Sequence, residues 1–248
     1  SVMSPRVKVA ILLLAAGHGE RLGADIPKAF LQLGGETLLV HSAARLLAAV
    51  RSPDSCEVVV LVQPEDRVDL VPACLERLRE IMPRGTEPKI VDGGATRQES
   101  MGLGLAATSD DVDLVCVHDA ARALVPIDRT RECLQTAQAV GAALLAVPAA
   151  DTLKRVTGSQ VTETLDRSSI YYAQTPQIAR RDWFMAAAAQ ANEEGFTATD
   201  DASLLERAGR PVAVVSGSAG NIKITRPDDL PVARALLACD PTPFPEQR

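Results

Sequence analysis

The longest apolar run in the chain, VAILLLAA at residues 9–16, shows no alternation of polar and apolar side chains. A half-solvated strand alternates, whereas a strand covered on both faces does not. The run therefore predicts a buried parallel strand, read over 7–15. Shorter apolar runs predict further strands at 57–62, 89–91, 114–117, 142–147 and 211–215. Helix-length patterns separate them at 37–50, 68–81, 96–108, 129–140, 181–193, 200–208 and 227–238. Strands that alternate with helices imply an α/β fold, a mostly parallel sheet between two helical layers of Rossmann-like architecture. Aromatics make up only 3% of the residues, so its core must be built from Ala, Leu and Val. Ligands of such folds sit outside the carboxyl ends of the strands, which directs attention to the loops that follow them.

One segment departs from this rhythm. DTLKRVTGSQVTETL, residues 151–165, has two Thr- and Val-containing arms around Thr157-Gly158-Ser159-Gln160, the pattern of a β-hairpin. Set inside an α/β order, it is expected to project as an arm over 151–167. Its two exposed edges need cover, which an identical chain could supply. No repeat, low-complexity segment or linker interrupts the sequence, so residues 1–248 read as one domain, with a Pro-rich tail at 240–248 expected to fray.

Charge narrows the partners. The 26 Lys and Arg against 32 Asp and Glu leave a net charge of −6, which argues against a generic nucleic-acid or anionic-membrane surface. An anionic small molecule would need positive charge concentrated at one site. Cys56, Cys74, Cys116, Cys133 and Cys239 are odd in number and never in C-x-x-C spacing. They read as buried or incidental thiols in a reducing compartment, with neither a disulfide framework nor a zinc site. The apolar runs are too short to span a membrane and no signal-peptide pattern is present, so a cytoplasmic location is expected.

The loop after the first strand carries the strongest chemical signal. In LLLAAGHGERLGADIPKAF, residues 12–30, the small residues Ala15, Ala16, Gly17 and Gly19 let backbone N–H groups approach a phosphate closely. Two familiar motifs fail here. Leu22 stands where a dinucleotide fingerprint needs its third Gly, and Lys28 lies between Pro27 and Ala29 rather than in the Gly-Lys-Ser/Thr of a P-loop. A plain Gly-rich turn would account for the glycines alone. It does not account for Arg21 and Lys28 in the same loop, the latter placed by the restricted backbone of Pro27.

AAGHGERLGADIPKAF resembles the signature of the small CTP-dependent cytidylyltransferases, specifically the 2-C-methyl-D-erythritol 4-phosphate cytidylyltransferase family of the non-mevalonate isoprenoid pathway. Further blocks stand in the family's order: VDGGATRQES at 91–100, VHDAARAL at 117–124, DTLKR at 151–155, LDR at 165–167, QTPQ at 174–177, TDDAS at 199–203 and NIKITRPDDL at 221–230. The resemblance implies a nucleotidyltransferase variant of the three-layer fold, with CTP as co-substrate, a divalent cation such as Mg²⁺ and a homodimer formed through the arm. The reaction joins a phosphate monoester to the α-phosphorus of CTP and expels pyrophosphate. Its barrier is charge repulsion, for which cations and a metal aimed at the phosphoryl oxygens are the remedy.

The resemblance also assigns residues. Arg21, Lys28 and Lys223 are implied to contact phosphates and stabilise the transition state. Ala15, Ala16, Gly17 and Gly19, with Gly93, Gly94, Arg97 and Ser100 and with Asp119 and Ala120, are implied to bind the nucleotide, Asp119 also holding the metal. Arg122, Thr152, Arg167 and Thr175 are implied to bind the acceptor, Thr152 and Arg167 from the hairpin of the partner. Local readings stand beside these. Thr96 and Glu99 have capping-box spacing, Asp200 and Asp201 read at least as well as a helix cap, and Thr225 or Arg226 is expected to cap the last helix with Pro227 in its first turn. His118 reads as a packed or hydrogen-bonded strand-end histidine rather than a metal ligand. Rival readings are a cytidylyltransferase for another polyol phosphate, such as ribitol 5-phosphate, and a non-catalytic nucleotide-binding protein.

Overall fold

A computed structural model describes residues 6–17, 26–50 and 56–245. Its main sheet has seven strands: β1 (Val9–Leu14), β4 (Cys56–Val62), β5 (Lys89–Asp92), β6 (Leu114–Asp119), β7 (Ala142–Pro148), β10 (Tyr171–Arg180) and β11 (Ala213–Ser216). They lie in the order β11-β7-β10-β6-β1-β4-β5. β1 pairs in parallel with β4 and β6, and β4 with β5, so the chain runs outward from β1 on one side and returns to its other side. The reversal opens a crevice at the carboxyl ends of β1 and β6, where α/β sheets bind ligands.

The unbroken apolar strands are explained by two covered faces. Val9, Ile11 and Leu13 of β1, with Val58, Val60 and Val62 of β4, pack into one core with α1 (Leu38–Ala49), α2 (Val71–Ile81) and α4 (Ile127–Val140). Ala10 and Leu12, with Val59 and Leu61, point the other way, against α3 (Arg97–Ala107), α5 (Arg181–Glu194) and α6 (Asp201–Arg207). Alternate side chains of one strand thus feed opposite layers. A Cβ on Gly104 would lie 2.8 Å from Leu12 Cδ2, so its absence sets how closely α3 lies on β1.

The predicted strands are all present, and one further strand is added to the main sheet. β10 is antiparallel to both neighbours, β6 and β7, and lies within the sheet. No strand is read there from the sequence, and Pro, which cannot donate to a ladder, is rare in a central strand. The structure accommodates Pro176 where the β10–β7 register shifts between Ala173 and Gln177. Two very short strands, β2 (Gln32–Leu33) and β3 (Glu36–Thr37), form a further hairpin before α1.

The hairpin predicted at 151–165 forms as β8 (Leu153–Thr157) and β9 (Gln160–Leu165), a separate two-stranded sheet that is exposed along nearly its whole length. Gly158, with φ of 61°, occupies its turn. The last helix, α7, spans Asp229–Cys239. Pro227 lies ahead of it rather than in its first turn. The Asp229 carboxylate reaches back to accept from the N–H groups of Thr225 and Arg226, each at 2.8 Å, so neither of those residues caps the helix.

The tail expected to fray is held over 240–245. Arg45 of α1 is 1% exposed and must find acceptors inside the protein. Its Nη1 pairs with Asp240 Oδ2 at 2.9 Å, its Nη2 donates to the Asp240 carbonyl, and its Nε donates to Thr242 Oγ1 at 3.1 Å. His41 Nε2 is 2.6 Å from the Leu33 carbonyl, which makes that nitrogen the donor. Nδ1 is then the acceptor for the Thr242 hydroxyl at 2.8 Å. Phe244 packs against the His41 ring and under the Arg77 guanidinium.

Candidate active site

Both strand ends at the crevice carry candidate residues. Backbone pairing continues past β1, where Ala15 N–H donates to Leu61 O at 2.9 Å. Ala15, Ala16 and Gly17 then form the floor of a cavity of about 290 Å³. Gly93 is required behind this floor. A Cβ there would come within 2.3 Å of Ala16 Cβ and 2.9 Å of Ser100 Oγ. Ser100 lines the cavity but its hydroxyl already has a structural task, accepting from Gly94 N–H at 3.1 Å and donating to Thr96 O at 3.0 Å. The Thr96–Glu99 capping box forms as the spacing predicts and starts α3 at Arg97.

Lys28 and Lys223 line the same cavity, although 195 positions separate them in the chain. Lys28 opens a single 3₁₀ turn, Lys28–Phe30, after Pro27 with φ of −58°, and the buried Ala29 and Phe30 anchor it. Lys223 is anchored by its neighbour: Ile224 is wholly buried and its N–H donates to Ala121 O at 3.0 Å. Upstream of it, Asn221 donates to Gln174 Oε1 at 3.1 Å and to Thr175 O at 2.9 Å. Gln174 holds Ser218 as well, and a Cβ on Gly217 would strike its Oε1 at 2.3 Å.

Asp119 ends β6 between cations. Arg97 Nε and Nη2 donate to its Oδ1 at 3.1 and 3.0 Å, and Lys223 Nζ lies 3.0 Å from its Oδ2. Burial alone would raise this carboxyl, but Arg97 and Lys223 reverse the effect and hold it well below the usual carboxylate range. Arg97 also forms a bidentate pair with Asp201, at 2.9 and 2.8 Å. Asp201 is 2% exposed, and burial leaves its carboxyl above the ordinary value despite that partner. Asp200 is the helix cap, accepting from Ser203 N–H at 2.9 Å.

Below Asp119 lies a buried polar chain. Thr175 Oγ1 accepts from Asp119 N–H at 3.1 Å and sits 2.9 Å from His118 Nδ1, while His118 Nε2 is 3.0 Å from the Arg122 carbonyl. His118 is fully buried, and burial pushes its imidazole down to about 4. It is a hydrogen-bonded strand-end histidine, as its position predicts.

Two residues named from the resemblance are buried. Thr175 is 4% exposed and its hydroxyl is hydrogen-bonded to His118 and to the Asp119 N–H. Ala120 is fully buried with its N–H on Leu14 O at 3.1 Å, and its neighbour Ala121 lines the cavity. Arg122 has its Nη1 on Asn221 O at 2.6 Å and, like Thr152 and Arg167, does not line the cavity. Thr152 and Arg167 flank the hairpin on exposed positions, and the Arg167 guanidinium folds back onto the Ala150 carbonyl. Gly19 and Arg21 lie outside the described residues.

The sequence left Gln174 and Asn221 without a site role and read Asp201 at least as well as a helix cap. Gln174 and Asn221 stand inside blocks quoted for the resemblance, and polar residues at fixed places beside a motif are the signal that marks them. Among the described residues no group of three or more His, Cys, Asp or Glu could hold a metal. Among the described residues, Asp119 is the carboxylate that lines the cavity.

Comparison with known proteins gives one answer. A family model described as IspD, 2-C-methyl-D-erythritol 4-phosphate cytidylyltransferase, matches residues 9–239. A protein of that name from Geobacillus kaustophilus (strain HTA426) is 40% identical over 231 residues, covering 92% of this chain and 96% of the relative. One from Geotalea uraniireducens (strain Rf4) is 41% identical over 233 residues, covering 93% and 97%. The crystal structure of 2-C-methyl-D-erythritol 4-phosphate cytidylyltransferase from Thermus thermophilus superposes with a TM-score of 0.74 at 36% identity, covering 94% of this chain and 100% of that one.

Proposed function

The chain belongs to the 2-C-methyl-D-erythritol 4-phosphate cytidylyltransferase family, and from that premise we infer that it transfers CMP from CTP to 2-C-methyl-D-erythritol 4-phosphate. The products are 4-diphosphocytidyl-2-C-methyl-D-erythritol and pyrophosphate, and the reaction serves isoprenoid precursor synthesis. The observation that carries the reading is the meeting of Lys28, Lys223, Arg97 and Asp119 with the small-residue floor 15–17 around one cavity at the carboxyl ends of β1 and β6.

The attacking phosphate is already ionised, so no general base is needed. Catalysis rests on holding two anions together and on meeting the charge of the pentacoordinate transition state. Lys28 and Lys223 supply fixed positive charge for that purpose, and Arg21 joins them on the strength of the family motif. The 15–17 floor and Ser100 seat the nucleotide, with Gly93 and Gly94 behind them. One carboxylate suits a Mg²⁺ that shares its coordination with substrate phosphates, because Mg²⁺ typically takes one or two carboxylates and keeps its other positions for phosphate and water. Asp119 would hold it, and the ion would neutralise phosphoryl charge there.

Thr152 and Arg167 act in the active site of a second copy, as part of a homodimer joined through the exposed hairpin. Their positions at the hairpin base, away from their own chain's cavity, support that arrangement. Residues 1–248 act as one catalytic domain. All five cysteines are free, which supports a reducing, cytoplasmic setting. Among the described residues no helix is long and apolar enough to cross a membrane.

The test is pyrophosphate release with CTP and Mg²⁺, comparing methylerythritol phosphate, ribitol 5-phosphate and no acceptor, with ATP, GTP and UTP as controls. Release with CTP and methylerythritol phosphate alone is the expected result. Release only with ribitol 5-phosphate would move the enzyme to another acceptor. CTP binding without release would leave a nucleotide-binding protein.

A further inference from the structure

We propose that His118 is a positioning residue of the transfer reaction, its two ring nitrogens setting the Asp119 and Arg122 sides of the site separately. The proposal rests on the functional reading above.

The hydrogen bonds fix the form of the ring. Nε2 faces a carbonyl, Arg122 O at 3.0 Å, which can only accept, so Nε2 carries the proton. Nδ1 is then an acceptor and takes the Thr175 hydroxyl proton at 2.9 Å. That leaves the oxygen of Thr175 to accept from Asp119 N–H at 3.1 Å. Each donor has one acceptor and the chain has one direction, from Asp119 through Thr175 to His118 and on to Arg122.

The backbone between the two ends is short and tight. Ala120 N–H is bound to Leu14 O at 3.1 Å and Arg122 N–H to Asp119 O at 2.9 Å. Ser42, fully buried on α1, donates to Ala120 O at 3.0 Å. The turn from Asp119 to Arg122 is therefore seated on polar groups beneath it: Ser42 also reaches Arg122 O, at 3.3 Å, while His118 connects the Arg122 carbonyl, through Nε2, to the Asp119 N–H, through Nδ1 and Thr175. The Nδ1 side holds the residue whose carboxylate meets Arg97 and Lys223. The Nε2 side holds the residue whose guanidinium meets Asn221, two positions from Lys223. A side chain that reached only one end would steady only half of the turn.

Amide isosteres separate the halves. In His118→Asn the amide oxygen can replace Nδ1 and keep the Thr175 link while losing the Arg122 link. In His118→Gln the amide nitrogen can replace Nε2 and keep the Arg122 link while losing Thr175. The assay is pyrophosphate release with both KM values measured. A wild-type protein that gives no release refutes the functional reading and with it this proposal. With active wild type, His118→Asn is expected to raise the KM for methylerythritol phosphate about tenfold, with kcat and the CTP KM within about twofold. His118→Gln is expected to lower kcat about tenfold or more, with a smaller change in the acceptor KM.

Wild-type kinetics in both folded variants would overturn the proposal. So would equal losses in both that follow only a fall in Tm. Where neither variant folds, Thr175→Val and Thr175→Ser decide. The serine, which keeps the hydroxyl, is expected to stay within about twofold of wild-type kcat, and the valine to fall about tenfold. A valine variant as active as the serine variant would overturn it.

Discussion

Lys223 Nζ lies 3.0 Å from Asp119 Oδ2, so the ammonium and the carboxylate of the site are each other's counter-ion. Replacing Asp119 by Asn keeps the shape and removes the charge that both Lys223 and Arg97 answer. Two effects then oppose. The released positive charge favours a triphosphate, while the reaction loses the carboxylate assigned to the metal. CTP binding in the presence of a chelator is expected to be at least as tight as in wild type, and turnover with Mg²⁺ about a hundredfold lower. Calorimetry and pyrophosphate release measure the two. Weaker chelator-phase binding would contradict the counter-ion account.

Lys28 stands at the mouth of a rigid turn and makes no ion pair among the described residues. Lys28→Ala is expected to leave CTP affinity within about threefold and to lower kcat about a hundredfold, the size of one lost transition-state contact. Unchanged turnover would show that Lys28 is not the transition-state cation.

Gly93→Ala places a methyl group against Ala16 Cβ and Ser100 Oγ, both under 3 Å. The floor cannot yield without moving the nucleotide site. The variant is expected to lose about 1–3 kcal/mol of stability, as overpacked positions do, and to raise the CTP KM more than the acceptor KM. Urea unfolding and steady-state kinetics test both parts.

Arg45→Ala removes the buried guanidinium that joins α1 to Asp240, Thr242 and Val125 O. Lost packing and stranded acceptors are expected to cost about 2–4 kcal/mol. Proteolysis of the native state should then cut after residue 239 faster than in wild type. An unchanged cutting rate would mean that the tail is held by its other contacts.

Glu57 ties the start of β4 to Lys8 at 3.0 Å, Lys89 at 3.2 Å and Ser109 N–H at 3.1 Å. Burial opposes its charge, but the Ser109 and lysine hydrogen bonds prevail and hold its carboxyl at about 2, below the ordinary 4.5. A folded value below the unfolded one contributes stability above pH 4.5 that disappears as the pH falls towards 2. Glu57→Gln is expected to lower stability at pH 7 by roughly 2 kcal/mol and to flatten its decline between those values. Parallel acid-unfolding profiles for the two proteins would refute this.

The parts of the fold written in apolar pattern were legible. The strands now seen as β1, β4 and β6 are continuous because both faces are covered, and the Thr96–Glu99 box marks the start of α3 by itself. β10 was not legible, since Gln174, Pro176 and Gln177 look like loop residues. They are buried because they serve the site: Gln177 Nε2 reaches Asp200 Oδ2 at 2.9 Å and Gln174 grips the segment before Lys223. Motifs located Lys28, Asp119 and Lys223. No local pattern shows that Arg97 and Asp201, 104 positions apart, form a bidentate pair. Nor does one show that Thr175 points inward. Position along a strand says which face a residue is on, while its hydrogen-bond partner depends on what the rest of the chain brings there.

The antiparallel strand in the middle of the sheet also sets an order of assembly. β6 is made before β7, yet the strand that joins them, β10, follows both in sequence. At a translation rate of about 5–20 residues per second, the edge of β6 waits on the order of seconds for its neighbour. During that interval a nascent chain presents an unpaired, largely apolar ribbon, the kind of edge on which strands from other chains dock. That edge can be closed from within the chain only once residues 171–180 have been made.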